Sequence, residues 1–212
     1  MVGHWDFAYT PEHLLLLAEQ LNYPVLAINV FNEDGTLFLK PYSFIETGNI
    51  KVAVIGICAN IIDKTMPDKF SKGIYVTDAM QEINGYVDEV KNQGADLIIL
   101  LSHNGFPQDI ELLKHTVGID ICLSAHTHNR LYEPVKVNDT IVIQCGCHGS
   151  FVGHLKLSVS DNKITHHEYE LIEVNEQVAS DRSVEQMVND IMVSYRSLQK
   201  QVVAKTDNIL HR

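Results

Sequence analysis

Two histidines, His126 and His128, lie one residue apart, directly after the mostly apolar run IDICLSA (119–125). Another, His103, follows the run ADLIILLS (95–102) in the same way. Neutral imidazoles are good ligands for zinc, iron, manganese and related ions. Loops after parallel strands collect at one edge of a sheet, which is where open α/β folds bind their ligands. The pattern therefore predicts a metal site built from strand-end loops.

Two further segments share this polar, metal-competent character, GHWDF at 3–7 and QCGCHGSFVG at 144–153. In an extended segment both rings of a His-x-His pair would point to the same side, whereas in a turn they can diverge toward two centres. We keep two other histidines as secondary candidates, His148 and His154. We expect the rest to be ordinary solvated or packed side chains: His13, His115, His166, His167 and His211.

Composition describes a folded globular protein and argues against two classes of partner. The chain has 212 residues, of which 45% are hydrophobic and 20% charged, as in soluble globular proteins. Its net charge of -11 argues against a nucleic-acid polymer or an anionic membrane surface as the main partner. No apolar run reaches the roughly 18 residues of a membrane span, so we expect no membrane insertion.

The chain contains Cys58, Cys122, Cys145 and Cys147, in apolar surroundings or in a Cys-x-Cys that is too tight for an easy mutual disulfide. We expect them to be buried thiols, because a free cysteine packs as a small hydrophobe. Paired Cys-x-x-Cys motifs typical of zinc sites are absent from the sequence. A zinc-only regulatory site that uses Cys145, Cys147 and His148 stays open as an alternative.

The periodicity of apolar residues predicts an α/β domain. From residue 78 to 126 the patterns alternate helix, strand, helix, strand, which is typical of parallel strands with helices packed on the sheet. After residue 134 shorter alternating strands predict antiparallel pairing. The segments predicted are helices at 11–21, 78–94, 109–118 and 180–203, and buried strands at 24–30, 95–103 and 119–126.

Taken in order, GHWDF, LSHNG, SAHTH and QCGCHGSFVGHLKL resemble the successive motifs of the calcineurin-like metallophosphoesterases, in particular the 5'-nucleotidase family. The usual forms there are Gly-Asn-His-Glu/Asp, Ser-His-Leu-Gly and Gly-His-Thr-His. The resemblance covers essentially the whole chain. It implies a four-layer αββα sandwich, incomplete at its N-terminus here, and a hydrolase that acts on phosphate esters such as nucleotides.

The resemblance also implies roles for particular residues. His4, His103 and His126 would be ligands of one metal ion, His128 would be a ligand of a second, and Asp6 would support them by hydrogen bonding. The complete protein would hold two divalent ions such as manganese, zinc or iron. This chain would form at most one complete site, with His128 left without partners.

Two departures from the family pattern concern catalysis. The family's catalytic histidine falls on Trp5, and the aspartate that orients it falls on Ala8, so the catalytic residue is unknown. Losing a general acid typically costs about 10²–10⁴-fold in rate. The His-Trp-acid variant is similar to the thiosulfohydrolase branch used in bacterial sulfur oxidation, which is an alternative function. The same variant also resembles bacterial metallophosphatases of the nucleotidase family.

The resemblance also predicts that the chain is truncated at both ends. The family's opening Asp-x-His strand and its bridging aspartate would precede Gly3, and VVAKTDNILHR (202–212) resembles the linker to a C-terminal substrate-binding domain. We therefore expect a partial catalytic domain at 1–178 and a linker helix at 179–212 that leads to an absent domain. Such a chain would have reduced or no activity alone, or would act as a non-catalytic binding module. The family is often extracytoplasmic, and the start of this chain shows no signal-peptide pattern, so the compartment stays open.

Overall fold

The computed structural model describes residues 1–196 and Lys205. The chain divides into two compact units, Met1–Glu173 and Val174–Arg212. The second unit contains one described helix, α5, over Arg182–Val193, and Asp181 caps it by accepting hydrogen bonds from the backbone N–H groups of Ser183 and Val184. Residues 197–203 of the predicted long helix lie outside the described part. The domain boundary at residue 178 stays a prediction.

The first unit is an α/β domain. Its helices are α1 Pro11–Ala18, α2 Ile62–Thr65, α3 Ile83–Asn92 and α4 Phe106–Lys114, with short 3₁₀ turns at His4–Phe7 and Asp68–Phe70. Its strands are β1 Val30–Asn32, β2 Tyr42–Thr47, β3 Ile50–Ile57, β4 Ile74–Val76, β5 Leu97–Ser102, β6 Ile121–Ser124, β7 Val135–Val137, β8 Thr140–Ile143, β9 Phe151–Ser160 and β10 Lys163–Glu173.

A six-stranded sheet in the order β2-β3-β5-β6-β8-β7 forms the centre of this unit. Strands β3, β5, β6 and β8 are parallel, and β2 and β7 close the two edges in antiparallel pairing. The predicted α/β class with parallel pairing through 95–126 is thereby confirmed. The remaining strands form two separate antiparallel pairs, β1 with β4 and β9 with β10.

Both faces of the central sheet are covered. Because side chains alternate along a strand, one set of strand residues faces helices α3 and α4, in a core that includes Ile55, Leu100 and Leu112. The other set packs with residues from the β9–β10 hairpin, such as Val159. The sheet is thus packed between the helices on one face and the β9–β10 hairpin on the other. The loops at its strand ends lie outside these layers and can carry polar side chains.

Several predicted elements differ from the structure. Helix α1 ends at Ala18 rather than residue 21, and α3 spans Ile83–Asn92 rather than 78–94. Helix α4 begins at Phe106 rather than residue 109, because Pro107 lies in the first turn, where its missing N–H is no loss. In the predicted strand 24–30 only Val30 belongs to a regular strand. The buried side chain of Asn29 fixes this segment instead: its amide donates to the carbonyls of Cys58 and Thr77 at 2.8 Å each.

The prediction of buried thiols holds for two of the cysteines. Cys58 and Cys122 are fully buried, and burial raises the pKa of both thiols well above the ordinary value. Cys145 and Cys147 are partly exposed, so for them the prediction is wrong. The reason is that both lie in the loop after β8 rather than in the sheet. Among the described residues, no helix has the length and apolar character needed to cross a bilayer.

Candidate metal centre

Three predicted ligands meet at one point. One nitrogen each from His4, His103 and His126 lies within 4.8 Å of the others. The ring centroids are separated by 5.6 Å for His4–His103, 5.0 Å for His4–His126 and 5.1 Å for His103–His126. The three rings come from segments far apart in sequence, and their spacing leaves room for one shared cation. We refer to these three residues as the histidine triad.

His4 is positioned by the 3₁₀ turn His4–Phe7. The Asp6 carboxylate accepts a 2.6 Å hydrogen bond from the backbone N–H of Gly3, which closes the turn, and the fully buried Phe7 anchors it. Gly3 lies directly against the His103 ring: a β-carbon on Gly3 would be 2.9 Å from Cε1 and Nε2 of His103. The absence of a side chain at Gly3 is therefore what lets the turn approach His103.

His103 and His126 follow neighbouring parallel strands. Ser102 and Ser124, the last residues of β5 and β6, are paired in register. Their hydroxyls donate 2.5 Å hydrogen bonds to the two carboxylate oxygens of the buried Asp109 on α4. The helix thus ties together the two strand ends from which the histidine loops depart. Asp109 escaped the sequence analysis because an acid near the start of an amphipathic helix ordinarily faces solvent.

The segment 126–128 is a turn, and its two histidines diverge, as the sequence analysis considered for this case. His126 has φ of 76° and His128 has φ of 58°, left-handed values that are uncommon for residues other than glycine. Thr127 fixes the turn between them, because its hydroxyl accepts a 3.0 Å hydrogen bond from the backbone N–H of Phe106.

Gln144, at the end of β8, is a second residue that the sequence analysis missed. Its side chain is 2% exposed. The amide nitrogen donates to the Ala125 carbonyl at 2.8 Å and to the Ser124 hydroxyl at 2.9 Å. The amide oxygen accepts from the Thr127 hydroxyl at 3.2 Å and from the backbone N–H of Asn129. Gln144 therefore holds the turn that carries His126 and His128 from both sides.

The electrostatics of the triad keep its rings neutral. Burial, followed by the proximity of His126 and His4, lowers the pKa of His103 to about 4. Burial is also the main cause that lowers the pKa of His4 and of His126. At neutral pH the three rings therefore carry lone pairs that can bind a cation.

The residues present fit a metal ion. Nδ1 of His4 is buried and has no hydrogen-bond partner among the described residues. A buried polar atom without a partner costs free energy, and a bound ion would remove that cost. Three neutral imidazoles around one point suit zinc or iron, and a manganese ion there would take oxygen ligands such as water in its remaining positions.

A second cluster surrounds His128. One ligand atom each from His128, Cys147 and His148 lies within 4.8 Å of the others, and the two imidazole centroids are 5.6 Å apart. His128, which we expected to be left without partners, thus lies beside two other possible ligands, and whether it shares an ion with them stays a prediction. The loop after β8 returns beside the 126–128 turn, which spacing along the chain could not show. Cys145, included in the alternative zinc site, is outside this cluster.

The remaining candidate residues belong to neither histidine cluster. Asp6 is exposed, and its charge raises the pKa of His4 slightly against the larger effect of burial. Trp5 is 67% exposed, with its ring 5.8 Å from that of His4 and 5.9 Å from that of Phe70. Ala8 packs against the core beneath the turn. His154 is exposed on β9 and belongs to neither cluster.

Comparison with solved structures defines the class of this fold. The chain superposes with a TM-score of 0.86 on a sulfate thiohydrolase, SoxB, from Thermus thermophilus, at 22% identity, over 92% of this chain and 36% of the other. It superposes with a TM-score of 0.80 on the calcineurin-like phosphoesterase YfkN from Bacillus subtilis, at 21% identity, over 92% and 70% of the two chains. The fold is that of the calcineurin-like phosphoesterases.

Sequence relatives agree with this class. A metallophosphoesterase of Bacillus subtilis, YunD, is 32% identical over 70% of this chain and 32% of its own length. A snake venom 5'-nucleotidase from Crotalus adamanteus is 22% identical over 90% of this chain and 36% of its own length. No family model matches the chain. The resemblance predicted from the motifs is confirmed: the homologues of this chain are metallophosphoesterases and 5'-nucleotidases, which are hydrolases of ester bonds. The chain spans about a third of the length of these two relatives.

Proposed function

We propose that this chain is part of a metal-dependent hydrolase of phosphoric esters, of the 5'-nucleotidase type, which dephosphorylates nucleotides. The observation that supports the proposal is the histidine triad, three neutral and convergent imidazoles at the strand ends of a phosphoesterase fold. Names of the relatives support the substrate class, since they include 5'-nucleotidases.

In this proposal His4, His103 and His126 hold one divalent ion, and His128 belongs to a second. A divalent ion in such a site stabilises charge on the phosphoryl oxygens and lowers the pKa of a bound water. The residues of the chain supply the positions: Asp109 and Gln144 fix the strand-end loops, and Gly3 lets the first turn reach His103.

The isolated chain is proposed to be a slow catalyst. Trp5 lies beside His4, at the position where the family has its catalytic histidine. An indole N–H donates a hydrogen bond but is far too weak an acid to protonate a leaving group. Among the described residues, neither cluster includes a carboxylate. In the part of the chain that the structure describes, Trp5 therefore offers no acid for the leaving group, and the two clusters offer no acidic ligand between two ions.

The test is hydrolysis of nitrophenyl phosphate and AMP by the chain with Mn²⁺, compared with its His103→Ala variant and with His13→Ala, a change at an exposed histidine of α1. We expect slow, metal-dependent turnover that His103→Ala removes and His13→Ala leaves unchanged. Turnover equal in wild type and His103→Ala would refute the proposal. Turnover as fast as that of an intact metallophosphatase would refute the role given to Trp5.

A second candidate function rests on Trp5, because the His-Trp-acid variant is similar to that of the thiosulfohydrolase branch as well as to that of metallophosphatases of the nucleotidase family. The substrate that is hydrolysed distinguishes the two functions. A nucleotidase hydrolyses AMP, and a thiosulfohydrolase hydrolyses thiosulfate attached to a carrier-protein cysteine. Preference for the cysteine-bound thiosulfate would favour the alternative. If neither substrate is turned over while the chain still binds a ligand, the chain is a non-catalytic binding module.

A further inference from the structure

The cluster at His128 has a composition that differs from the triad, because it includes a thiol. We propose that His128, Cys147 and His148 form a second cation site that takes Zn²⁺ through one thiolate and two imidazoles. This proposal names the ligands of the ion that the proposed function assigns to His128. It rests on the proposed function only for the catalytic use of that ion. The binding itself can be measured without any activity.

The spacing of the ligand atoms supports such a site. The three atoms lie within 4.8 Å of one another. Ligand atoms around one tetrahedral zinc ion are roughly 3.3–3.7 Å apart, so small side-chain movements would complete the site. Three protein ligands leave a fourth position open for water or a substrate atom. Thiolate and imidazole together favour zinc over manganese, which prefers oxygen ligands.

The backbone around the cluster is unusual. Both of its histidines are left-handed, with φ of 58° at His128 and 56° at His148. For a residue with a β-carbon this conformation is unfavourable, because the β-carbon lies too close to the following carbonyl oxygen. Such strain is concentrated at functional sites in proteins, where the surrounding structure holds it in place. The other described left-handed histidine, His126, belongs to the triad.

The two segments that carry the cluster are fixed to each other. The backbone N–H of Leu131 donates to the carbonyl of Gln144 at 3.1 Å. The backbone N–H of Gly146 donates to the carbonyl of Asn129 at 2.8 Å. Beside them the Gln144 side chain accepts from the backbone of Asn129. The backbone next to the cluster is therefore fixed before any ion binds, which lowers the entropy cost of binding.

The two cysteines of the Cys-x-Cys pair have different surroundings. Gly146, with φ of 71°, turns the chain between them. The Cys145 sulfur packs against Gly153 and lies 3.9 Å from the hydroxyl of Tyr169, on the side of the β9–β10 hairpin. Cys147 instead lies with the histidines. Cys145→Ser is therefore a matched control for Cys147→Ser.

The test uses the full chain, kept reduced, with Co²⁺ as a spectroscopic substitute and Zn²⁺ as the competitor. Wild type and Cys145→Ser should show a thiolate-to-cobalt charge-transfer band in the near ultraviolet that Zn²⁺ removes. Cys147→Ser should lack the band. Since loss of supporting residues alone costs about 10–100-fold in metal affinity, loss of this ligand should weaken Zn²⁺ binding by at least about tenfold.

His4→Ala separates this site from the triad, because it should keep the band while losing the Mn²⁺ site. Thermal unfolding of each variant shows whether it is folded. The inference is overturned if wild type shows no band, or if Cys145→Ser rather than Cys147→Ser abolishes it. Neither result bears on the proposed function, which is tested by Mn²⁺-dependent turnover and by the loss of that turnover in His103→Ala.

Discussion

The hydroxyl of Ser102, the residue before His103, donates a 2.5 Å hydrogen bond to the carboxylate of Asp109. Since Ser124 does the same from the neighbouring strand, one buried carboxylate holds both strand ends that lead into the triad. The arrangement places a titratable group in the core, directly behind the candidate metal centre. Its protonation should therefore be visible in the stability of the protein.

Asp109→Asn tests this coupling. Burial raises the pKa of Asp109 from 3.8 to about 6, against the smaller opposite effect of its two serine partners. The native state thus binds this proton more tightly than the unfolded state. The stability it contributes is complete below about pH 4 and is lost as the pH rises through about 6.

We expect the free energy of unfolding of wild type relative to Asp109→Asn to fall by up to about 3 kcal/mol between pH 4 and pH 7.5. Urea unfolding of both proteins at the two pH values measures it, and the common titration of the histidines cancels in the difference. A difference that stays constant with pH would contradict the assignment.

Gly3→Ala should disturb the triad without removing any ligand. The new β-carbon would lie 2.9 Å from two atoms of the His103 ring, so the ring or the turn must move. We expect Mn²⁺ affinity, measured by calorimetry, to fall by about tenfold or more. Gly85→Ala is the control, because Gly85 lies in α3 with nothing within 4 Å of its added methyl group. It should leave binding unchanged and stabilise the fold by roughly 0.5–1 kcal/mol. Equal binding by Gly3→Ala and wild type would show that this close approach is not needed.

Gln144→Leu should destabilise the turn that carries His126 and His128. It leaves the carbonyl of Ala125 and the N–H of Asn129 without their partner, and unsatisfied buried groups cost about 1–3 kcal/mol each. We expect a loss of at least about 2 kcal/mol in denaturant unfolding. Gln81→Leu changes an exposed glutamine and should stay within about 0.5 kcal/mol of wild type. Similar small effects of both substitutions would remove Gln144 from the account.

Trp5→His combined with Ala8→Asp should raise turnover. It restores the pair of residues that the family pattern has at these positions, next to His4. General acid catalysis is worth about 10²–10⁴-fold, so we expect a gain of at least about tenfold. The gain should be larger for AMP than for nitrophenyl phosphate, because the ribose oxygen needs a proton to leave and nitrophenolate does not. Trp5→Phe, which restores no proton donor, should give no gain. A gain by Trp5→Phe would mean that Trp5 only obstructs the site.

The sequence predicted those parts of the fold that depend on local pattern. Strands β5 and β6 are short apolar runs with a histidine after each, and the alternation with helices gave their parallel order. The family motifs in the sequence also placed His4, His103 and His126 in one group, and the structure brings these three residues together. Their role as ligands, and that of His128, stays a prediction.

What the sequence could not show depends on contacts between distant segments. Asp109 and Gln144 look like ordinary polar residues until α4 packs on the sheet and β8 pairs beside β6. Cys147 and His148 reach His128 only because 129–131 and 144–146 run side by side. Segment 24–30 has an apolar pattern, yet the Asn29 side chain rather than a strand ladder fixes it.

The central claim is that His4, His103 and His126 hold one divalent ion. A crystal structure of the chain grown with Mn²⁺, with anomalous data collected at the manganese edge, tests it most directly. We predict an anomalous peak within coordination distance of one nitrogen from each of the three rings, and its loss in His103→Ala. A manganese peak elsewhere in the molecule, with the three rings free of metal, would contradict the account.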